Sequence, residues 1–298
     1  MNISSDWHIH SEASCDAACM QMADLVLEAQ AQGIQDFGIT DHIHTPYNLP
    51  DLAASRQAFL AVHPSPRFHF GVEVSCVSQW ELDEIATGRH EKPVYGLRSG
   101  GPVGGALAIG VTAENLQAYG VEYVVGGTHW PIPRPDVPLE RQAIIRDYHR
   151  QNMFLATHPL VTIVAHPWWW MDPKWKNTQD AQGMFNTEPW FDSFKVVPQS
   201  MHDEFAGAVI AYGKVAEINI EGTLLNPRYP ERFKLEYLDY LAFLHARGVA
   251  LAIGSDCHRA HYYEIQFARA AEMLATVGIH DHDLWRLTAR VGGECHLN

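Results

Sequence analysis

The sequence predicts an α/β fold whose parallel strands close into a barrel. Three observations lead there. Short apolar runs rich in β-branched residues recur along the 298 residues and are separated by segments of helical spacing. Glycines stand where the helical segments should stop, as left-handed caps do. Each apolar run also ends in a His, Asp or Glu, as expected where strand ends converge on one face of a barrel.

The expected strands are Ile3–His10, Gln35–Thr40, Phe68–Val74, Glu122–Gly126, Val161–His166, Val215–Ile220 and Val249–Gly254. Helices are expected at Met22–Gln32, Leu139–Thr157, Pro189–Tyr212, Glu231–Arg247 and His261–Val277, with Gly33, Gly213, Gly248 and Gly278 as caps. Alternation of this kind makes βαβ crossovers and hence a parallel sheet. An open sheet satisfies the same pattern, so alternation alone leaves that choice open. Two stretches break the rhythm. Residues 75–110 carry Gly100-Gly101-Pro102-Val103-Gly104-Gly105 and read as an insertion, and residues 167–188 form a long loop with Trp168-Trp169-Trp170 and Trp175. Neither resembles a linker, so residues 1–298 read as a single domain with elaborated loops.

Composition narrows the function. With 47% apolar and 19% charged residues, the chain has material for a core and is not disordered in type. A formal charge of −14 speaks against long nucleic acid and anionic lipid as partners. No apolar run reaches membrane-spanning length and the N-terminus lacks an export pattern, so a cytoplasmic protein is expected. Five cysteines are too few for a disulfide scaffold. The eighteen histidines are the anomaly, nearly matching the 21 Lys and Arg.

Six of them sit at the strand ends. His8 and His10 are two apart and so point to one side of a strand, able to share an ion. Strand two ends in Thr40-Asp41-His42, strand three in Glu73, strand four runs into His129, strand five ends in His166 and strand seven in Asp256-Cys257-His258. Glu217 and Asn219 end strand six and could order ligands or water. Each motif alone fits a surface pair or a core histidine. Their joint placement points to more than one first-row ion, Zn, Mn, Fe or Ni. Clustered carboxylates also repel one another unless cations hold them. The remaining histidines, His44 among them, read as packing or surface residues, with His202 and His261 the candidates for an exception.

The ordered series His8-Ile9-His10, Asp16, Thr40-Asp41-His42, Glu73, His129, Ala165-His166-Pro167 and Ser255-Asp256-Cys257-His258 resembles the PHP (polymerase and histidinol phosphatase) family. The resemblance implies a distorted (βα)7 TIM-like barrel and three metal positions. His8, His10, Glu73 and Asp256 would hold one; Glu73, His129 and His166 a second; Asp16, His42 and His258 the third. It implies a phosphoesterase, in the simplest case a histidinol-phosphatase-like phosphomonoesterase acting on a small phosphorylated metabolite through metal-activated hydroxide.

Asp41, Asp256 and His258 are the candidate catalytic residues, Asp41 as an orienter or proton donor beside a ligand. Arg134 and Arg259 are candidate phosphate clamps, each equally readable as a surface arginine. Trp168, in the tryptophan run, is a candidate wall of the substrate cleft. Three divalent ions would move the formal charge from −14 to −8, concentrating positive charge where a phosphate would sit. The alternatives are a phosphodiesterase or nuclease acting on short or cyclic nucleotides, an amidohydrolase-type barrel, and a non-catalytic metal-stabilised binding domain.

Overall fold

A computed structural model describes residues 2–16, 20–97, 100–132, 141–169 and 193–287. The strands are β1 (Ser5–Asp6), β2 (Asp36–Ile39), β3 (His42–Ile43), β4 (Phe68–Ser78), β5 (Leu107–Ile109), β6 (Tyr123–Gly127), β7 (Ile163–Ala165), β8 (Val215–Asn219) and β9 (Ala250–Gly254). The helices are α1 (Met22–Ala31), α2 (Leu49–Ala61), α3 (Gln79–Ala86), α4 (Ala113–Tyr119), α5 (Arg141–Thr157), α6 (Gln199–Ala211), α7 (Glu231–Ala246) and α8 (Phe267–Ala275).

Seven parallel strands in the order β1-β2-β4-β6-β7-β8-β9 form a nearly closed, distorted TIM-like barrel. The first and last strands meet through Trp7 N–H to the Ile253 carbonyl (2.9 Å) and Asp256 N–H to the His8 carbonyl (2.8 Å). The expected first strand, Ile3–His10, shrinks to two ladder residues because a side chain intervenes: Thr40 Oγ1 accepts the Ile9 N–H at 3.1 Å. The chain nonetheless stays extended through His10, and Ile9 bridges Cys257 in parallel.

β4 organises the barrel. All eleven of its residues are buried, and it pairs with β2, β3, β5 and β6. It outruns the expected end at Val74 because Leu107–Ile109 returns antiparallel against Cys76–Ser78. The expected insertion at 75–110 therefore contributes a strand end, α3 and β5 to the barrel's periphery, and β5 with α2, α3 and α4 are elements the sequence reading lacked. α2 escaped it because Leu52, Ser55 and Phe59 are its only buried residues, too thin a stripe to register as a helical face. The four glycine caps do adopt the left-handed conformation, with φ between 61° and 81°. Most of the tryptophan-rich loop lies outside the described residues.

Alternation carries the same inward faces from apolar to polar. Trp7, Tyr123, Val125, Ile163, Ala165, Val215 and Ala252 pack into one buried cluster. Further along the same strands and faces come Gly127, Glu217 and Gly254. The cluster keeps water from reaching the polar groups from behind, which strengthens every charge interaction among them. No helix of the described residues is long and apolar enough to cross a membrane, and the described cysteines, Cys15, Cys76 and Cys257, are free thiols.

Candidate metal centre

Glu73 is the hub of the strand ends. Projecting inward from β4 and fully buried, it is surrounded by imidazoles on both oxygens. Its Oε2 lies 3.1 Å from His8 Nε2, 3.5 Å from His10 Nε2 and 2.8 Å from His42 Nδ1. Its Oε1 lies 3.0 Å from His129 Nε2 and 3.1 Å from His166 Nε2. Asp256 Oδ1 stands 3.6 Å from His8, 3.4 Å from His10 and 3.4 Å from His258. Asp16 Oδ2 stands 3.2 Å from His42 Nε2 and 2.5 Å from His258 Nε2. All nine residues singled out as metal ligands thus meet in one place, although they span positions 8 to 258.

Two local features permit this crowding. A side chain at Gly127 would strike Glu73 Oε1 and His129, and one at Gly254 would overlap Glu217 and His8. His166 and Asp256 both hold positive φ, 27° and 57°, a conformation that costs a non-glycine residue free energy and that surrounding structure must enforce. Such strain at two strand ends aims both side chains at the common centre.

The electrostatics suit cations. Burial pulls His10 down to about 3 and His129 to about 4, which keeps both rings neutral with a lone pair to offer. Burial also disfavours charge on His42, but Glu73 and Asp16 override it and lift the ring to about 10. Glu73 and Asp256 stay well below the usual carboxylate range despite burial, because His8 and the neighbouring rings favour their anions. Four trios have ligand atoms within 4.8 Å of one another: His8, His10 and Asp256; His8, Glu73 and His166; His42, Glu73 and His129; His10, His42 and His258. Buried Nε2 of His8 and His10, Oδ1 of Asp16 and Oε2 of Glu73 make no hydrogen bond. Unpartnered buried donors and acceptors facing one another are costly unless an ion takes them up, so the donor set fits divalent metal.

Supporting groups stand behind these side chains. Glu217 Oε1 lies 2.6 Å from His8 Nδ1, while its Oε2 accepts the His166 N–H at 2.6 Å. Asn219 donates to both Glu217 Oε2 and Asp256 Oδ2 at 3.1 Å. Ser75 Oγ bridges His129 Nδ1 (2.8 Å) and His44 Nδ1 (2.6 Å). Ser75 and His44 escaped the sequence reading. Ser75 was legible in principle, since it follows Glu73 by two residues on the same strand and so shares its face.

A cavity of about 440 Å³ opens over the cluster; its lining includes the aromatic Tyr95, Trp130 and Trp169, the polar Glu221 and Asn226, and His44 with His42 and His129. No lysine or arginine is among its described lining residues.

The other expected contacts are placed differently. Asp41 sits behind the cavity, its carboxylate accepting the Ser11 N–H (2.6 Å) and hydroxyl (2.7 Å), so it anchors the loop that carries Asp16. Arg259 pairs with Glu221 (2.7 Å), itself at the cavity, and with Glu264 (3.0 Å), and is not among the described lining residues. Trp168 is fully buried and lies parallel to His149 at 6.2 Å; its positive φ of 73° turns the chain so that Trp169, not Trp168, reaches the cavity. Arg134 lies outside the described residues.

A PHP domain family model matches residues 6–166 of the chain. That span includes seven of the nine clustered residues; Asp256 and His258 arrive from beyond it, by closure of the barrel. Among solved structures, histidinol phosphate phosphatase from Lactococcus lactis subsp. lactis Il1403, complexed with zinc, L-histidinol and phosphate, superposes with a TM-score of 0.59 at 16% identity, over 93% of this chain and 94% of that one. A Xaa-Pro dipeptidase with bound methionine gives a TM-score of 0.40 at 11% identity, over 93% and 71% of the two chains. No curated protein sequence matches the chain.

Proposed function

The chain belongs to the PHP domain family, and on that premise we propose that it is a metal-dependent phosphoesterase, a phosphomonoesterase acting on a small phosphorylated metabolite. One observation carries the reading: a buried carboxylate, Glu73, ringed by five imidazoles beneath a cavity whose described lining holds three acids and no lysine or arginine. A phosphate would be repelled from such a site unless cations outnumber the carboxylates. Divalent ions held there would supply that charge and would acidify water for attack on phosphorus.

The chain's own residues divide the work. His8, His10 and Asp256 form one side of the ligand set, His129 and His166 the opposite side across Glu73, and Asp16, His42 and His258 the third. We assign these groups to three ions of the Zn, Mn or Fe type. His258, with 39% of its side chain accessible, stands at the mouth of the cluster. Tyr95, Trp130 and Trp169 offer aromatic surface against which the organic part of a substrate would lie, and Glu221 and Asn226 offer polar contacts. A cavity of about 440 Å³ matches a small metabolite in size rather than a long polymer. The Lactococcus protein of this fold, crystallised with zinc, L-histidinol and phosphate, supports a phosphate-handling site without identifying the substrate here.

The test is hydrolysis of 4-nitrophenyl phosphate and of bis(4-nitrophenyl) phosphate by the purified protein loaded with Zn, Mn or Fe. Phosphomonoesterase action predicts release from the monoester that chelation abolishes and metal restores. Preference for the diester would shift the assignment to phosphodiesterase, and inertness toward both with every metal would defeat the reading.

A further inference from the structure

We infer that Arg259 is a positioning residue for one metal position only, that of Asp16, His42 and His258: braced between Glu221 and Glu264, it fixes the segment that carries His258 and so sets how tightly that position holds its ion. The inference rests on the three-ion assignment made above, and on the ligand set rather than on the ester cleaved. This position is the outermost. The side chains of His258 and Asp16 are 39% and 21% accessible, whereas those of His8, His10, Glu73, His129 and His166 are accessible to 4% or less. A ligand open to water must give up rotamer and segment freedom on binding an ion unless something has already fixed it.

The chain around His258 shows what fixes it. Up to Cys257 the backbone is tied to the segment that follows β1, by Asp256 N–H to the His8 carbonyl (2.8 Å) and His10 N–H to the Cys257 carbonyl (3.2 Å). It is tied again at Tyr262, whose N–H reaches Glu28 Oε2 at 2.6 Å. Between these points the chain runs along the mouth of the cluster, and Arg259 holds it sideways. Its Nε donates to both oxygens of Glu221, at 2.9 and 2.7 Å, and its Nη1 donates to Glu264 Oε2 at 3.0 Å. Glu221 is a firm anchor because it stands in the π-helical turn Ile220–Leu224. There Asn219 Oδ1 accepts the Gly222 N–H (2.6 Å) and the Glu221 N–H reaches the Ser255 carbonyl (3.2 Å).

The brace therefore acts on His258 and not on Asp256, although the two are neighbours but one. Asp256 has its own backbone bond to His8, and its Oδ2 accepts from Asn219 at 3.1 Å. Charge and position also predict opposite outcomes. Arg259 is a cation near cation sites, so on Coulomb's law alone its loss would tighten the binding of an ion. As a brace, its loss should weaken the ion at this one position. The guanidinium is 45% accessible, so its ion pairs contribute little to folding and a variant should keep the fold.

Stepwise zinc titration against a chromophoric chelator, with elemental analysis at each level of free zinc, reads the effect without any substrate. His258→Ala, which deletes a ligand, marks the step that belongs to this position. In Arg259→Gln that step should weaken about tenfold or more, while the other two stay within about twofold. The metal-free variant should unfold at nearly the parent's temperature. An unmoved or tighter step would overturn the proposal, and so would equal weakening of all three. Should Arg259→Gln not fold, Glu264→Gln removes the more exposed carboxylate alone: a weaker step upholds the brace and an unchanged one overturns it. A parent that holds no more than two zinc ions overturns the proposal together with the three-ion assignment. A parent that holds three and cleaves no phosphate ester ends the phosphoesterase reading, while the titration still decides the brace.

Discussion

Glu217 Oε1 lies 2.6 Å from Nδ1 of His8, on the side of the ring away from Glu73. A carboxylate there fixes the proton on Nδ1, leaves Nε2 for an ion and makes the ring a better ligand. Its other oxygen takes the His166 backbone N–H, so one residue of β8 holds candidate ligands that follow β1 and β7. Glu217→Gln should therefore weaken zinc binding about 10- to 100-fold while the fold persists. Competition with a chromophoric chelator measures this, and unchanged affinity would show Glu217 to be mere packing.

Removing the hub tests the centre itself. Glu73→Gln takes one negative charge from among five rings and leaves them without their shared partner. Bound metal per chain should fall, and turnover of any phosphate ester should drop about 100-fold or more. Elemental analysis of the purified variant beside the parent checks the first effect independently of activity. Full metal content in Glu73→Gln would contradict the central role given to this carboxylate.

The clustering of these nine residues was legible in the sequence through two strong rules, and the family resemblance added their grouping. Strand alternation placed His8 with His10, and barrel closure gathers strand ends however distant in the chain. The partners of Asp41 and Arg259 and the burial of Trp168 follow from contacts that no linear pattern carries. Asp41 is drawn to Ser11, 30 residues away, and Arg259 to Glu221, 38 residues away, with nearby Glu264 on its other side. Ser75 and His44 matter only through a contact between β4 and the segment after β3, and His44 had no spacing to distinguish it from a packing histidine. The short helices α3 and α4 escaped because they span only 8 and 7 residues, less than the window in which helical periodicity declares itself.

The two adjacent tryptophans should behave oppositely. Trp168 is buried against His149, His202 and Tyr240, so Trp168→Ala should cost about 3–5 kcal/mol of stability. Trp169 lines the cavity and packs at 5.1 Å from His166; Trp169→Ala should raise KM several-fold at nearly unchanged Tm. Thermal unfolding and steady-state kinetics on both variants separate the roles. A large loss of Tm in Trp169→Ala with unaltered KM would remove this residue from the substrate wall.

His202 supplies a pH dependence away from the metal centre. Its ring lies parallel to Phe194 at 5.4 Å and 4.6 Å from Tyr240. Burial lowers it from 6.5 to about 4, with Asp203 opposing and His149 adding to the effect. Between those values the unfolded chain binds a proton that the folded chain refuses, so stability falls as pH falls. At about pH 5 the loss relative to neutral pH should be about 2 kcal/mol. His202→Phe keeps an aromatic ring and removes the titration, so its stability should decline less by that amount over the same range. Urea unfolding of both proteins at about pH 7.5 and pH 5 gives the difference, in which the shared titration of the metal-centre histidines cancels. Parallel declines would mean that His202 takes up its proton in the folded protein as readily as in the unfolded chain.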